Sequence, residues 1–206
     1  MKRIRTFPVI LWMLFFAIGC NLFSNISGIQ SNIATPKTTI SATAVREDNF
    51  FDHDDFRLNY PADWKPIHEI FGLQPSTMYN SEFEATEIFA IGSPGKDGKK
   101  MGAYCKILLK EDIDPERSLE SMMDVAYQGL SEYPDAEISQ KKIQISGING
   151  LEKIYRRPSG EPWYQVRDVW IMRGNQVYII SCWAYPENYV MDEPVFTSIL
   201  SSMQFK

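Results

Sequence analysis

The spacing of turns after residue 136 narrows the fold more than any other feature of this chain. Four strand-like segments, roughly 137–145, 150–157, 163–173 and 176–184, follow one another with only Gly147-Ile148-Asn149-Gly150, Pro158-Ser159-Gly160 and Arg173-Gly174-Asn175 between them. A parallel neighbour needs a crossover of a dozen residues or more, so these strands are expected to pair antiparallel. Two further candidates, Glu87 to Ile91 and Gly102 to Leu109, flank the turn-rich stretch from Gly92 to Gly98 and read as a hairpin. Upstream, Phe56-Arg57-Leu58-Asn59-Tyr60 alternates apolar and polar residues until Pro61 stops it.

Two segments carry the helical period instead. Asp114 can cap the first and Pro115 suits its first turn; Leu119, Met122, Met123, Ala126 and Leu130 make one apolar stripe, and Tyr133-Pro134 ends it. The second is expected from about Asp192, with Pro194 in its first turn and Phe196, Ile199, Leu200 and Met203 on one face. Each stripe must be buried against something. The predicted class is therefore α+β, one antiparallel sheet of about six to seven strands with helices covering its faces. One globular domain is expected over residues 49–206, with no internal repeat of fixed period.

The first twenty residues give an address. Lys2, Arg3 and Arg5 precede a thirteen-residue uncharged run from Phe7 to Gly19, which spans only about 20 Å as a helix against a hydrocarbon core of roughly 30 Å. A basic start, a short apolar run and small residues at its end describe an export signal over residues 1–19. Ala17-Ile18-Gly19-Cys20 resembles the bacterial lipoprotein signal, with Ala17 where Leu is usual. That resemblance implies acylation of Cys20, with two or three chains holding the protein at a membrane and the body extracytoplasmic, either on the outer face of the cytoplasmic membrane or in the periplasm. Residues 20–48 hold the lipidated Cys and a Ser/Thr/Asn-rich stretch read as a tether.

The whole chain has 21 basic and 26 acidic side chains, a formal charge of -5, and removal of residues 1–19 brings it to -8. No dense cationic face is available for phosphate binding, so nucleic acid is not an expected partner.

Tyr60-Pro61-x-x-Trp64, the Gly147-Ile148-Asn149-Gly150 turn, Tyr178-Ile179-Ile180 and the final Phe196-x-x-Ile199-Leu200-x-Ser202-Met203 resemble, in this order, the PsbP-like domain. That family includes the extrinsic photosystem II subunit, a Ran-binding nuclear-import factor and short bacterial lipoproteins. The resemblance covers residues 50–206. It implies an α/β/α sandwich built on that antiparallel sheet and a non-catalytic role in binding or stabilising another protein, here one of the cell envelope, with no cofactor.

Among candidate chemical groups, the run Asp52-His53-Asp54-Asp55 could hold a hard divalent cation, the basis of an alternative reading as a metal- or small-ligand-binding module; a solvated entry to the first strand is the plainer account. Cys105 and Cys182 lie in predicted strands. If bonded they close a loop of 78 residues, but buried unpaired thiols are favoured, since sequence cannot bring two sulfurs together. Trp163 and Tyr164 follow a Pro/Gly turn and are candidates for a contact surface, while Arg167 and Asp168 interrupt an otherwise apolar strand, as though the covering of the sheet ended there. No nucleophile elbow, zinc helix motif, phosphate loop or C-x-x-C pair is present, and an enzyme of unrecognised type is the least favoured reading.

Overall fold

The computed structural model describes residues 48–74, 77–95, 101–114, 116–133, 136–157 and 164–206. The expected export signal, Cys20, the tether up to residue 47, Pro115 and Trp163 lie outside the described residues. Among the described residues no helix is long and apolar enough to cross a membrane.

The elements run β1 (Asp48–Asp52), β2 (Phe56–Pro61), β3 (Lys65–Pro66), α1 (Ile67–Phe71), β4 (Met78–Asn80), β5 (Ala85–Pro94), β6 (Met101–Lys110), α2 (Leu119–Ala126), a 3₁₀ turn (Gln128–Glu132), β7 (Glu137–Ile145), β8 (Ile148–Arg157), β9 (Tyr164–Arg173), β10 (Gln176–Ala184), α3 (Pro186–Ser202) and β11 (Gln204–Phe205). The main sheet is antiparallel, in the order β3-β5-β6-β10-β9-β8-β7, with β4 added to β5. The α+β class holds, with eight strands in this sheet where six to seven were expected. β3 and β4, two and three residues long, are too short to show a period of two.

The first predicted strand is not in this sheet. β2 pairs with β1 and β11 in a separate three-stranded sheet. Its burial alternates strictly, Phe56, Leu58 and Tyr60 inward and the residues between them outward, because one face lies on the core and the other in water. Together with α3 it covers one face of the main sheet, meeting Ile91, Cys105, Ile107, Val169, Ile171, Tyr178 and Ile180. The opposite face is covered by α2 and the 3₁₀ turn, where Met122, Met123 and Tyr127 pack on Leu108, Leu151, Tyr155, Trp170 and Ile179. Strand β10, central and covered on both sides, is buried from Val177 to Ala184.

Helix boundaries depart from expectation for local reasons. α2 is capped by Ser118, whose Oγ accepts from Ser121 N at 3.1 Å, while Asp114 accepts from Glu116 N and closes a turn upstream. The stripe is continuous through Leu130, but the helix ends at Ala126 and tightens into the 3₁₀ turn. α3 begins at Pro186, a first-turn position that needs no N–H donor, so Pro194 sits inside the helix. The carbonyl that Pro194 leaves without a donor belongs to Val190, which is exposed and can be hydrated. The β7–β8 turn is Ser146-Gly147, both at positive φ, so Ile148-Asn149-Gly150 is already strand.

Candidate functional site

The acidic run does not form a ligand set. Asp52 pairs with Lys206 at 2.7 Å, and this hydrogen bond, foremost, lowers the Asp52 carboxyl below its ordinary range. His53 Nδ1 accepts from Asp55 N at 3.3 Å, Asp54 is exposed, and the carbonyls of His53 and Asp55 accept from Lys206 Nζ and N. Arg173 donates to the carbonyls of Asp55 and Lys206. Asp52 ends β1 and the chain turns after it, so these groups meet Lys206 and, at 3.5 Å between His53 Nδ1 and Asp55 Oδ2, one another. Among the described residues no three His, Cys, Asp or Glu side chains meet as metal ligands.

The structure gathers titratable groups elsewhere. Lys106 of β6, Ser181 of β10, Asp168 of β9, Lys153 of β8 and Gln140 of β7 are successive cross-strand partners, and they form one polar row beneath α2. Asp168 is fully buried. Its Oδ2 accepts from Tyr127 Oη at 2.6 Å and Tyr155 Oη at 3.0 Å, and Tyr127 Oη accepts from Trp170 Nε1 at 3.0 Å. Lys153 donates to Gln140 at 3.0 Å, and Trp183 Nε1 donates to Ser181 Oγ at 2.6 Å. Lys106 Nζ stands 5.4 Å from the centre of the Trp183 ring. Burial raises the Asp168 carboxyl, against the opposing pull of Ser181 and the two tyrosines; burial also lowers the Lys106 amine and raises both phenols. Asp168 therefore does not mark the end of the covering; it lies under it. Arg167, one residue away, points to the opposite face and pairs with Glu152 at 2.6 Å.

A carboxyl raised on folding favours the folded state fully below its unfolded value, near 3.8, and that contribution is lost as pH rises through the folded value. Asp168→Asn is therefore expected to flatten the fall in stability between pH 4 and pH 8. Urea midpoints of both proteins across that range check it; parallel curves would refute the assignment.

One open concavity lies at the sheet edge. β3 pairs with Gly92 and Ile91, and β4 pairs with Glu87, Thr86 and Ala85, so both use the same edge of β5 and leave Ile88, Phe89 and Ala90 between them. α1 spans this gap. It ends in a Schellman motif, with Gly72 at φ +64 and Leu73 N donating to His68 O at 2.7 Å. Its Ile67 reaches Gly92, where a Cβ would stand 2.9 Å from Ile67 Cδ1. The result is a cleft of about 540 Å³ floored by Phe51, Tyr60, Ile67, Ile88 and Phe89, with Leu73 and Met78 at its rim and Glu87 and His68 at its wall. Phe51 and Phe89 stack with centroids 3.8 Å apart. Leu73 is 62% exposed, Met78 60% and the adjacent Tyr79 68%. Burial raises the Glu87 carboxyl. A second cleft of similar size lies between the start of α2 and β7–β9, with the Lys142–Glu120 pair at its wall.

Cys105 and Cys182 are direct cross-strand partners on β6 and β10, and their sulfurs form a disulfide where unpaired thiols were favoured. Antiparallel register brings their Cα atoms to 4.0 Å. Tyr164 is half-buried against Trp183 and Tyr185, at 5.6 and 5.1 Å between centroids, so it is largely occupied within the fold. The cleft residues were not singled out from sequence, because β3, α1 and β4 are too short to be read. The polar row left a trace: Lys106, Lys153 and Asp168 each interrupt an apolar strand.

No functionally curated protein shows a significant sequence match. Among solved structures the chain is similar to cyanobacterial PsbP (CyanoP) from Synechocystis, at TM-score 0.53 and 11% identity, over 84% of this chain and 100% of that one. It is also similar to LpqN, described as involved in cell envelope biogenesis of Mycobacterium tuberculosis, at TM-score 0.50 and 13% identity, over 78% of this chain and 91% of that one. Identities this low establish the fold alone. The family model for PsbP-like protein matches residues 12–205, and the chain belongs to that family.

Proposed function

We propose that this protein is a lipid-anchored, extracytoplasmic binding or scaffold protein without catalytic activity, which presents its cleft to a protein partner of the cell envelope. One observation carries the reading. The cleft at the β5 edge is apolar and rimmed by exposed Leu73 and Met78, whereas Asp168, at the centre of the polar row, is fully buried beneath α2. A binding surface needs exposed apolar area, while general acid–base chemistry needs its groups within reach of a substrate. The basic and apolar leader ending in Ala17-Ile18-Gly19-Cys20 supports the address.

The test is photocrosslinking in cells from position 78 of the full-length protein, beside Cys20→Ser, with the intact mass of the native chain. The expected result is an acylated Cys20 at the mature N-terminus and one reproducible envelope protein captured only by the acylated form. A chain that begins at Met1 or carries an unmodified Cys20 overturns the address. Absence of a reproducible neighbour, with a large melting shift on adding a divalent metal or a metabolite, favours the small-ligand module instead.

A further inference from the structure

We propose that the interrupted edge of β5 is a strand-addition site, which takes a short extended segment of another polypeptide carrying apolar residues and a basic side chain. The inference rests on the binding reading above and names the chemistry of the partner. Three observations converge on it. First, Ile88, Phe89 and Ala90 lie between the stretches paired with β3 and β4, and among the described residues no backbone hydrogen bond joins them to α1 or its flanks. Backbone donors and acceptors on an open edge are satisfied by another strand, and the three residues, with the register shift at Ile88, span at most about 10 Å. Second, the cleft beside that edge is apolar, so side chains of an added strand have somewhere to go.

Third, the charge has a sign. Glu87 lies at the cleft wall, half-buried, and the Lys106 amine is close enough to act on its carboxylate against the larger effect of burial. Glu69 is close enough to Tyr60, in the floor, to raise its hydroxyl further after the larger effect of burial. The carboxylates of Glu69 and Glu87 outnumber the one ammonium, Lys106, that acts on Glu87, and favour a cationic visitor. A second copy of this chain is a poorer fit: its open edge strand, β7, has nine residues and spans about 30 Å, three times the gap.

The experiment uses the full-length chain in detergent and a fluorescein-labelled probe, the blocked peptide Val-Lys-Val-Lys-Val, read by anisotropy. Its counterpart has both lysines replaced by glutamate, and two further versions are N-methylated on one or the other alternate set of amides. The lysine peptide is expected to bind saturably and about tenfold more tightly than the glutamate one. Glu87→Gln should shrink that preference to about threefold or less. Methylation of one alternate set should abolish binding while the other set leaves it intact, because only one edge of the added strand faces β5. Equal affinity for both charges, equal effects of the two methylated sets, or no saturable binding up to millimolar peptide would each overturn the proposal. Because the protein is unchanged in the methylation comparison, misfolding of a variant cannot mimic a result. An unmodified Cys20 would defeat the lipid-anchored reading and leave peptide binding untouched; failure of the peptide would leave the anchor standing.

Discussion

Replacing Cys105 and Cys182 together by alanine is expected to lower unfolding stability by about 4 to 5 kcal/mol, which for a domain of this size moves the midpoint of thermal unfolding down by about 8 to 20 °C. The bridge closes a sequence separation of 77 residues, and the chain-entropy account assigns that much to the conformations it removes from the unfolded chain. Both cysteines are buried, at 2% and 0% exposure, so alanine leaves a small apolar gap and no stranded polar group. The bridge joins β6 to β10, in the middle of the main sheet on the face covered by α3. Reductant should therefore act through opening of the fold, and the wild-type midpoint in reductant should approach that of the double variant. Calorimetry of both proteins with and without reductant checks this, and a double variant that melts with the wild type in oxidising buffer would show that the two sulfurs are not joined.

The second large effect concerns the opposite side of the same strands from the polar row. Glu152 on β8 is 1% exposed, and its Oε2 receives Arg167 Nε and Nη2, both at 2.6 Å. Lys141 Nζ stands 2.9 Å from Oε1 as an ion pair that is not aligned as a hydrogen bond. Arg167 Nη1 also donates to Thr197 Oγ1 at 2.7 Å, which ties β9 to α3. Arg167→Leu removes the chief partner of a buried carboxylate, and the expected loss is about 3 to 5 kcal/mol. Arg167→Leu with Glu152→Leu should recover most of it, since the cost lies in the uncompensated charge rather than in absence of the pair. Urea unfolding of the two single variants and the double variant closes the cycle. A double variant as unstable as Arg167→Leu would mean that the packing of Arg167, and not the charge it neutralises, is what matters.

How far the sequence could be read varies by element. The four late strands were placed to within two residues, because each is nine or ten residues long and each break carries Gly, Pro or Asn. The stripe from Leu119 to Leu130 was legible, but its division into α2 and a 3₁₀ turn was not, since both satisfy nearly the same spacing of apolar residues. The expected start of α3 falls six residues late because two prolines suit a helical first turn, and Pro186 rather than Pro194 fills that role.

For the candidate site the division is sharper. The acidic run from Asp52 to Asp55 was visible and misleading, because density of carboxylates along a chain says nothing about whether their oxygens converge. The cleft was invisible, being made where the two- and three-residue strands β3 and β4 leave part of the β5 edge open.

By itself the sequence determined the period of each element, hence the class of fold, and the expected address. Those are local properties, carried by neighbours within a few residues of one another. Tertiary structure alone decided which strands share a sheet, that Cys105 meets Cys182, that Lys106, Asp168 and Lys153 stand in one row, and that three residues of β5 are left between β3 and β4. Each depends on cross-strand register between segments tens of residues apart, and a slip of one position would turn every one of those side chains to the other face.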